Sequence, residues 1–143
     1  MKTFGLTLFI ATALLLAGCG SEKTFEGMWS ASLTPTTGSS APMSFNMTAD
    51  TNQNGGLTFN TLTITSSNGC ITTSAQKAVS YDAGSRTVTF YITAGTNGVA
   101  GSGTLAADAR NVTGTYVITG EKEECQGSGT LTMKRLENSS PRR

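Results

Sequence analysis

Residues 86–93 read RTVTFYIT, and they show most clearly a pattern that recurs along the chain. Val88, Phe90 and Ile92 alternate with three threonines and Tyr91. Because successive side chains of a strand point to opposite faces, the alternation predicts a strand with one apolar face. The residues before it, Asp82–Ser85, are typical of a tight hairpin loop.

The same period-two alternation recurs along the chain and predicts eight strands. Short segments rich in Gly, Asn, Asp and Pro separate them and are typical of turns, as at Asn54-Gly55. In the third strand the apolar phase changes, and a β-bulge near Asn60-Thr61 restores it. The predicted strands comprise residues 25–33, 43–50, 57–65, 70–81, 86–93, 99–107, 112–119 and 125–136.

Eight short antiparallel strands with hairpin-sized loops can close on themselves and remove their free edges. Strand glycines are concentrated in the last three strands, where they favour the sharp curvature of a small barrel. These glycines are Gly101, Gly103, Gly114, Gly127 and Gly129. We therefore predict an all-β fold, an eight-stranded antiparallel up-and-down barrel. A β-sandwich is the alternative, although it usually needs longer crossover connections.

A separate signal lies at the start of the chain. The apolar run of residues 4–16 is shorter than the roughly 20 residues of a membrane span and matches a secretory signal. It ends in Leu16, Ala17, Gly18 and Cys19, which resemble the lipobox of bacterial lipoproteins. The resemblance implies a lipid on Cys19 and removal of everything before it. An ordinary signal peptide with a chance cysteine is the alternative.

The lipobox resemblance implies a domain organisation and a location. Residues 1–18 form the signal peptide, 19–24 the lipidated N-terminus and linker, 25–136 the barrel, and 137–143 a flexible tail. Gly20 follows the cysteine, whereas enterobacterial lipoproteins retained at the inner membrane carry Asp there. We expect a bacterial envelope protein, lipid-anchored at the outer membrane and facing the periplasm.

Two further cysteines, Cys70 and Cys125, remain in the exported chain. An exported protein meets an oxidising compartment, and two cysteines allow one intramolecular pairing, so we predict a Cys70–Cys125 disulfide. A metal site is disfavoured because the chain has no histidine and no third cysteine to complete one.

The first predicted strand contains Gly27 and Trp29 in a Gly-x-Trp arrangement. This resembles the first-strand signature of lipocalins and the wider calycin group. In those barrels the tryptophan closes one end, and an arginine late in the last strand packs across it. The resemblance implies a cation–π contact between Trp29 and Arg135. The Thr-Asp-Tyr signature of lipocalins is absent from the sequence, and a Trp29 that is only a core residue is the alternative.

The composition of the chain argues against several classes of function. With Lys2 removed, nine basic side chains balance nine acidic ones, so there is no basic patch for nucleic acid. The absence of histidine excludes Ser-His and Cys-His catalysis. Glu121–Glu124 reads as a solvated turn, with loose cation binding as the alternative. We expect neither an enzyme nor a cofactor.

A non-catalytic binding module remains, with a small apolar ligand or an envelope protein as its partner. The alternatives are an inhibitor-like protein that blocks a protease or lysozyme, and a structural envelope lipoprotein. Bulky inward positions favour a filled barrel over a large cavity. The chain enters the barrel at one end, so we expect the disulfide end, with the Pro35–Pro42 and Asn97-Gly98 loops, to face away from the membrane.

Overall fold

The structure of the protein is a computed structural model that describes residues 25–137. Eight strands make up most of this part of the chain, and a 3-10 turn, Glu123–Cys125, precedes the last of them. No helix among residues 25–137 is long and apolar enough to cross a membrane. The strands are β1 (Gly27–Gly38), β2 (Met43–Thr51), β3 (Leu57–Ser66), β4 (Gln76–Asp82), β5 (Thr87–Ala94), β6 (Asn97–Leu105), β7 (Asn111–Thr119) and β8 (Gly127–Arg135).

The strands form one antiparallel sheet in the order β3-β2-β1-β8-β7-β6-β5-β4. Strands that are neighbours in sequence are also neighbours in the sheet, except β3 and β4, and β1 also pairs with β8 from Trp29–Arg135 to Gly38–Gly127. The predicted eight-stranded up-and-down barrel is therefore confirmed, and its architecture is consistent with a lipocalin-like fold.

The ring has a break that the sequence did not predict. The outer edges of β3 and β4 approach each other, but no ladder of hydrogen bonds joins them within the described residues. Side chains cover the junction: Phe59 and Val79 are buried there, and the Lys77 Nζ lies 6.0 Å from the centroid of the Phe59 ring. The barrel is thus nearly closed, with its break between β3 and β4.

Strand β1 is longer than predicted. The sequence placed Pro35 in a loop, whereas β1 continues to Gly38 along β8, with an irregularity between Pro35 and Thr37. Pairing with β2 ends at Leu33. Beyond it, β1 has a partner on only one side, and such an edge tolerates the missing N–H of a proline.

Other strand ends also differ from the predicted ones. Strand β4 begins at Gln76 and not at Cys70, because residues 70–75 belong to the preceding loop. Strand β8 begins at Gly127 and not at Cys125, which ends the 3-10 turn. The Asn97-Gly98 pair begins β6, and the turn before it contains Gly95 with φ +60°. A loop residue at a strand end can match the apolar phase by chance, so alternation alone misplaces such boundaries.

The predicted bulge in β3 is present. Thr48 pairs with Thr61 and Ala49 with Phe59, which leaves Asn60 without a partner in β2. The extra residue brings Phe59 and Leu62 to the same, buried side of the sheet.

Large side chains fill the interior. All the bulky inward positions predicted from the sequence are buried: Trp29, Phe45, Met47, Phe59, Phe90, Ile92, Tyr116 and Leu131. One row across the sheet alternates rings with glycine, from Phe90 to Gly101, Tyr116 and Gly129. A Cβ on Gly101 would lie 2.3 Å from the Phe90 ring, so glycine there makes room for the aromatic side chain.

The close approach of the β1 backbone explains why residue 129 is a glycine. A Cβ at this position would lie 2.0 Å from the carbonyl oxygen of Thr34 on the neighbouring strand. Since backbone atoms cannot rotate away as a side chain does, we expect Gly129→Ala to lower the free energy of unfolding by about 1–3 kcal/mol. Gly84→Ala is the matched control, because its Cβ would meet only the Asp82 side chain, at 3.4 Å. Urea unfolding checks the pair, and equal stabilities would contradict this account.

Candidate binding site

The barrel has two distinct ends. Strand β1 begins and β8 ends at one end, which we call the anchor end because the predicted lipidation residue, Cys19, precedes β1 in the sequence. Loops 52–56, 83–86 and 106–110 lie at the same end. Loops 39–42, 67–75, 95–96 and 120–126 lie at the opposite end, which we call the disulfide end. The predicted lipidation residue Cys19, its lipobox residues Leu16, Ala17 and Gly18, and most of the tail lie outside the described residues.

The disulfide end contains the predicted bond between Cys70 and Cys125. Their Cα atoms are 5.7 Å apart, and both cysteines are buried. Strands β4 and β8 lie far apart in the ring, so cysteines at the strand starts would not meet. The bond forms because loop 67–75 and the 3-10 turn before β8 both lean over the end of the barrel.

Hydrogen bonds extend this bridge to the other loops. The Asn97 side chain donates to the Cys70 carbonyl oxygen at 3.0 Å. The Gln126 side chain donates to the Gly120 carbonyl at 2.8 Å, and the Gln126 carbonyl accepts from the N–H groups of Ser39 and Ser40 at 3.1 and 3.2 Å. Loops 39–42, 67–75 and 120–126 are therefore joined to one another and, through Asn97, to the start of β6 beside loop 95–96.

A pocket of about 600 Å³ opens between loop 67–75 and the β5–β6 turn. Cys70 forms part of its wall, and the polar lining side chains are Thr72, Ser74, Gln76, Thr93 and Asn97. No charged side chain lines this pocket. The lining offers hydroxyl and amide groups, which can hydrogen-bond a neutral polar ligand.

Acidic residues lie outside the pocket. Glu121–Glu124 are exposed, and the Lys122 Nζ lies 3.9 Å from the Glu124 carboxylate. This agrees with the interpretation of the segment as a solvated turn. Residues 25–137 contain no group of three or more potential metal ligands.

Two hydroxyl groups are buried, one on Tyr116 of β7 and one on Ser40 of loop 39–42. Neither Tyr116 Oη nor Ser40 Oγ has a partner in hydrogen-bond geometry. Burial raises the pKa of Tyr116 above its ordinary value of 10.0, and the Ser40 hydroxyl, which lies close by but outside the geometry of a formed hydrogen bond, opposes the rise. Burying a hydroxyl without a hydrogen bond costs stability.

We therefore expect Tyr116→Phe to raise the free energy of unfolding by about 1 kcal/mol at neutral pH. Above pH 10 the unfolded chain loses the tyrosine proton while the folded chain keeps it, so wild-type stability falls as pH rises. Phenylalanine has no hydroxyl proton to lose, so the stability advantage of Tyr116→Phe over wild type should be larger at alkaline pH. Urea unfolding at pH 7 and 10.5 checks it, with Tyr91→Phe as the exposed control. A loss of stability at both pH values would contradict the prediction.

The anchor end is closed by the residues that the calycin resemblance indicated. The Arg135 guanidinium lies 4.4 Å from the centroid of the Trp29 ring, within cation–π range. Phe25 stacks on the same indole at 4.5 Å, and the Trp29 N–H donates to the Phe25 carbonyl oxygen at 2.9 Å. Trp29 is fully buried, so it is a core residue as well as the cation partner.

Arg135 also ties the neighbouring segments together. Its Nε donates to the Ala109 carbonyl at 2.9 Å, and its Nη1 donates to the Glu26 carbonyl. Burial lowers the pKa of Arg135, and the Glu26 carboxylate opposes this. The anchor end is thus sealed by structural contacts, and the open pocket lies at the other end.

Sequence reasoning missed most of the residues that build the pocket. Asn97 was assigned to a turn, and nothing in the alternation distinguished Thr72, Ser74 or Gln76 from other polar positions. They become neighbours only because loop 67–75 folds back onto the β5–β6 turn. Cys70 was a signal available in the sequence, because its disulfide with Cys125 requires the loop that contains Cys70 to lie close to Cys125.

Comparison with protein-family models, with curated proteins and with solved structures finds no match for this chain.

Proposed function

We propose that this protein is a lipid-anchored envelope lipoprotein whose barrel is a non-catalytic binding module that meets its ligand at the disulfide end. The observation that carries the proposal is the separation of the two ends. The chain from Cys19 enters β1 at the sealed anchor end, and the pocket opens at the opposite end. A lipid on Cys19 would hold the pocket away from the membrane.

Packing of the barrel favours this surface over the interior as the place of binding. Phe45 and Phe90 meet edge to face at 5.7 Å in the middle of the core, and both are fully buried. A small apolar ligand inside the barrel would have to displace such rings. The pocket at the disulfide end needs no rearrangement of the core.

Lipidation of Cys19 is the first part to test. We expect metabolic labelling with a palmitate analogue to mark the wild-type chain and to leave Cys19→Ala unmarked. Two or more acyl chains anchor a protein stably, so wild type should fractionate with membranes and Cys19→Ala should not. Equal labelling of both chains would contradict the anchor.

The second part of the proposal to test is which end of the barrel binds the ligand. A photo-crosslinking amino acid at Thr72, beside the pocket, should capture an envelope component in cells. The same amino acid at Ala83, in the β4–β5 loop of the anchor end, is the matched control. Crosslinking at Ala83 and not at Thr72 would contradict the proposed binding end. A hydrolase as the captured component would favour the inhibitor alternative, which uses the same end.

A further inference from the structure

We propose that the outer surface of β5, together with the adjoining pocket, binds a neutral oligosaccharide, with the Tyr91 ring as the stacking platform. This inference rests on the proposed binding function and names the ligand class. It follows from an exposed aromatic ring, the small side chains beside it, and the uncharged pocket at the end of the same strand.

Tyr91 is the most exposed large hydrophobic side chain among residues 25–137, at 54%. Its register partners are Ala78 on β4 and Ala100 on β6, and both are exposed. Alanine on each side leaves no bulky neighbour to cover the ring. The result is a small apolar platform, and the exposed Val117 of β7, which pairs with Ala100, continues it.

The platform is continuous with the pocket. Thr93 is the next outward residue of β5 toward the disulfide end, and it pairs with Gln76 of β4. Both Thr93 and Gln76 line the pocket. Positions two residues apart on a strand are separated by about 7 Å, so one ligand a few sugar units long can span the ring and the pocket.

The scarcity of charged side chains on this surface favours an uncharged ligand. Outward positions on β4 to β7 carry Thr, Ser, Ala, Gly, Asn, Gln, Val and Tyr, and the one charged side chain is Asp82 at the anchor end. Nucleic acid or an acidic peptide would need cationic partners that this surface lacks.

A neutral sugar matches both features of the surface. The C–H groups on the face of a sugar ring pack against the negative face of an aromatic ring. Its peripheral hydroxyls match the Thr93 hydroxyl and the Gln76 amide. A protein partner is less well matched, because Tyr91 and Val117 are the only large exposed apolar side chains on these four strands in the described chain. A stable protein interface buries about 800 Å² on each side around an apolar core.

The test uses the purified full chain in a detergent without a sugar headgroup. Calorimetric titrations with cellotetraose, maltotetraose and chitotetraose probe β-glucose, α-glucose and N-acetylated ligands. We expect at least one to bind, with about tenfold weaker binding by Tyr91→Ala and near-wild-type binding by Tyr91→Phe. Thr93→Val, which removes the pocket hydroxyl, should also weaken binding several-fold. Met28→Ala, at an exposed apolar residue near the anchor end, is the control and should bind as wild type does.

The outcomes separate this inference from the proposed function. Binding that is lost in Tyr91→Ala and kept in Tyr91→Phe supports the stacking platform, and the preferred probe identifies the glycan type. Absence of binding to all three probes, or equal binding by Tyr91→Ala and wild type, overturns the inference. If crosslinking at Thr72 still captures a protein in that case, the binding function stands and its ligand is a protein. If no oligosaccharide binds and crosslinking at Thr72 captures nothing, both the oligosaccharide inference and the proposed binding function are overturned.

Discussion

Replacing both bridged cysteines, as Cys70→Ala with Cys125→Ala, should lower the free energy of unfolding by about 4 kcal/mol. The bond joins residues 55 positions apart, and a cross-link of that span removes much of the conformational freedom of the unfolded chain. The effect should extend to the pocket, since Cys70 forms part of its wall and the Cys70 carbonyl holds Asn97.

Urea unfolding in a Cys19→Ala background measures the change without a lipid or a third thiol. Reduction of the bridged protein should produce a similar loss, and the double variant should not respond to the reductant. A double variant within about 1 kcal/mol of the bridged protein would show that packing of the loops, and not the cross-link, holds the disulfide end together.

Trp29→Ala is expected to cost about 3–5 kcal/mol, the range measured when large aromatic side chains are removed from protein cores. The side chain is fully buried and contacts both the Phe25 ring and the Arg135 guanidinium. Its removal leaves a cavity at the anchor end and leaves a half-buried cation without its aromatic partner.

Trp29→Phe is the matched control, because it keeps an aromatic ring against Arg135 and should lose less than Trp29→Ala. Circular dichroism follows unfolding of both variants, since neither retains the single tryptophan of the chain. If the two variants were equally stable, the aromatic contact with Arg135 would contribute nothing. If Trp29→Ala unfolded like wild type, the anchor end would be sealed by other residues.

Local pattern predicted much of the barrel. Alternation in segments such as residues 86–93 identified the strands, and the phase change between Phe59 and Leu62 located the bulge at Asn60. Both are properties of a few neighbouring residues, since the two faces of a strand are set by its own backbone. The cysteine count predicted the Cys70–Cys125 bond because two thiols leave one pairing. The lipid anchor at Cys19 stays a prediction from the sequence.

The position of the break in the sheet and the position of the pocket follow from the packing of the folded chain. A hairpin-sized loop forces its two strands to pair, whereas loop 67–75 is long enough to leave β3 and β4 without a common ladder. That loop is instead held by Cys125, which is 55 positions from Cys70 along the chain. Contacts over such distances depend on loop geometry and strand tilt, and a period-two pattern encodes neither. The pocket beside Thr93 and the buried hydroxyls of Ser40 and Tyr116 were therefore beyond prediction from the sequence.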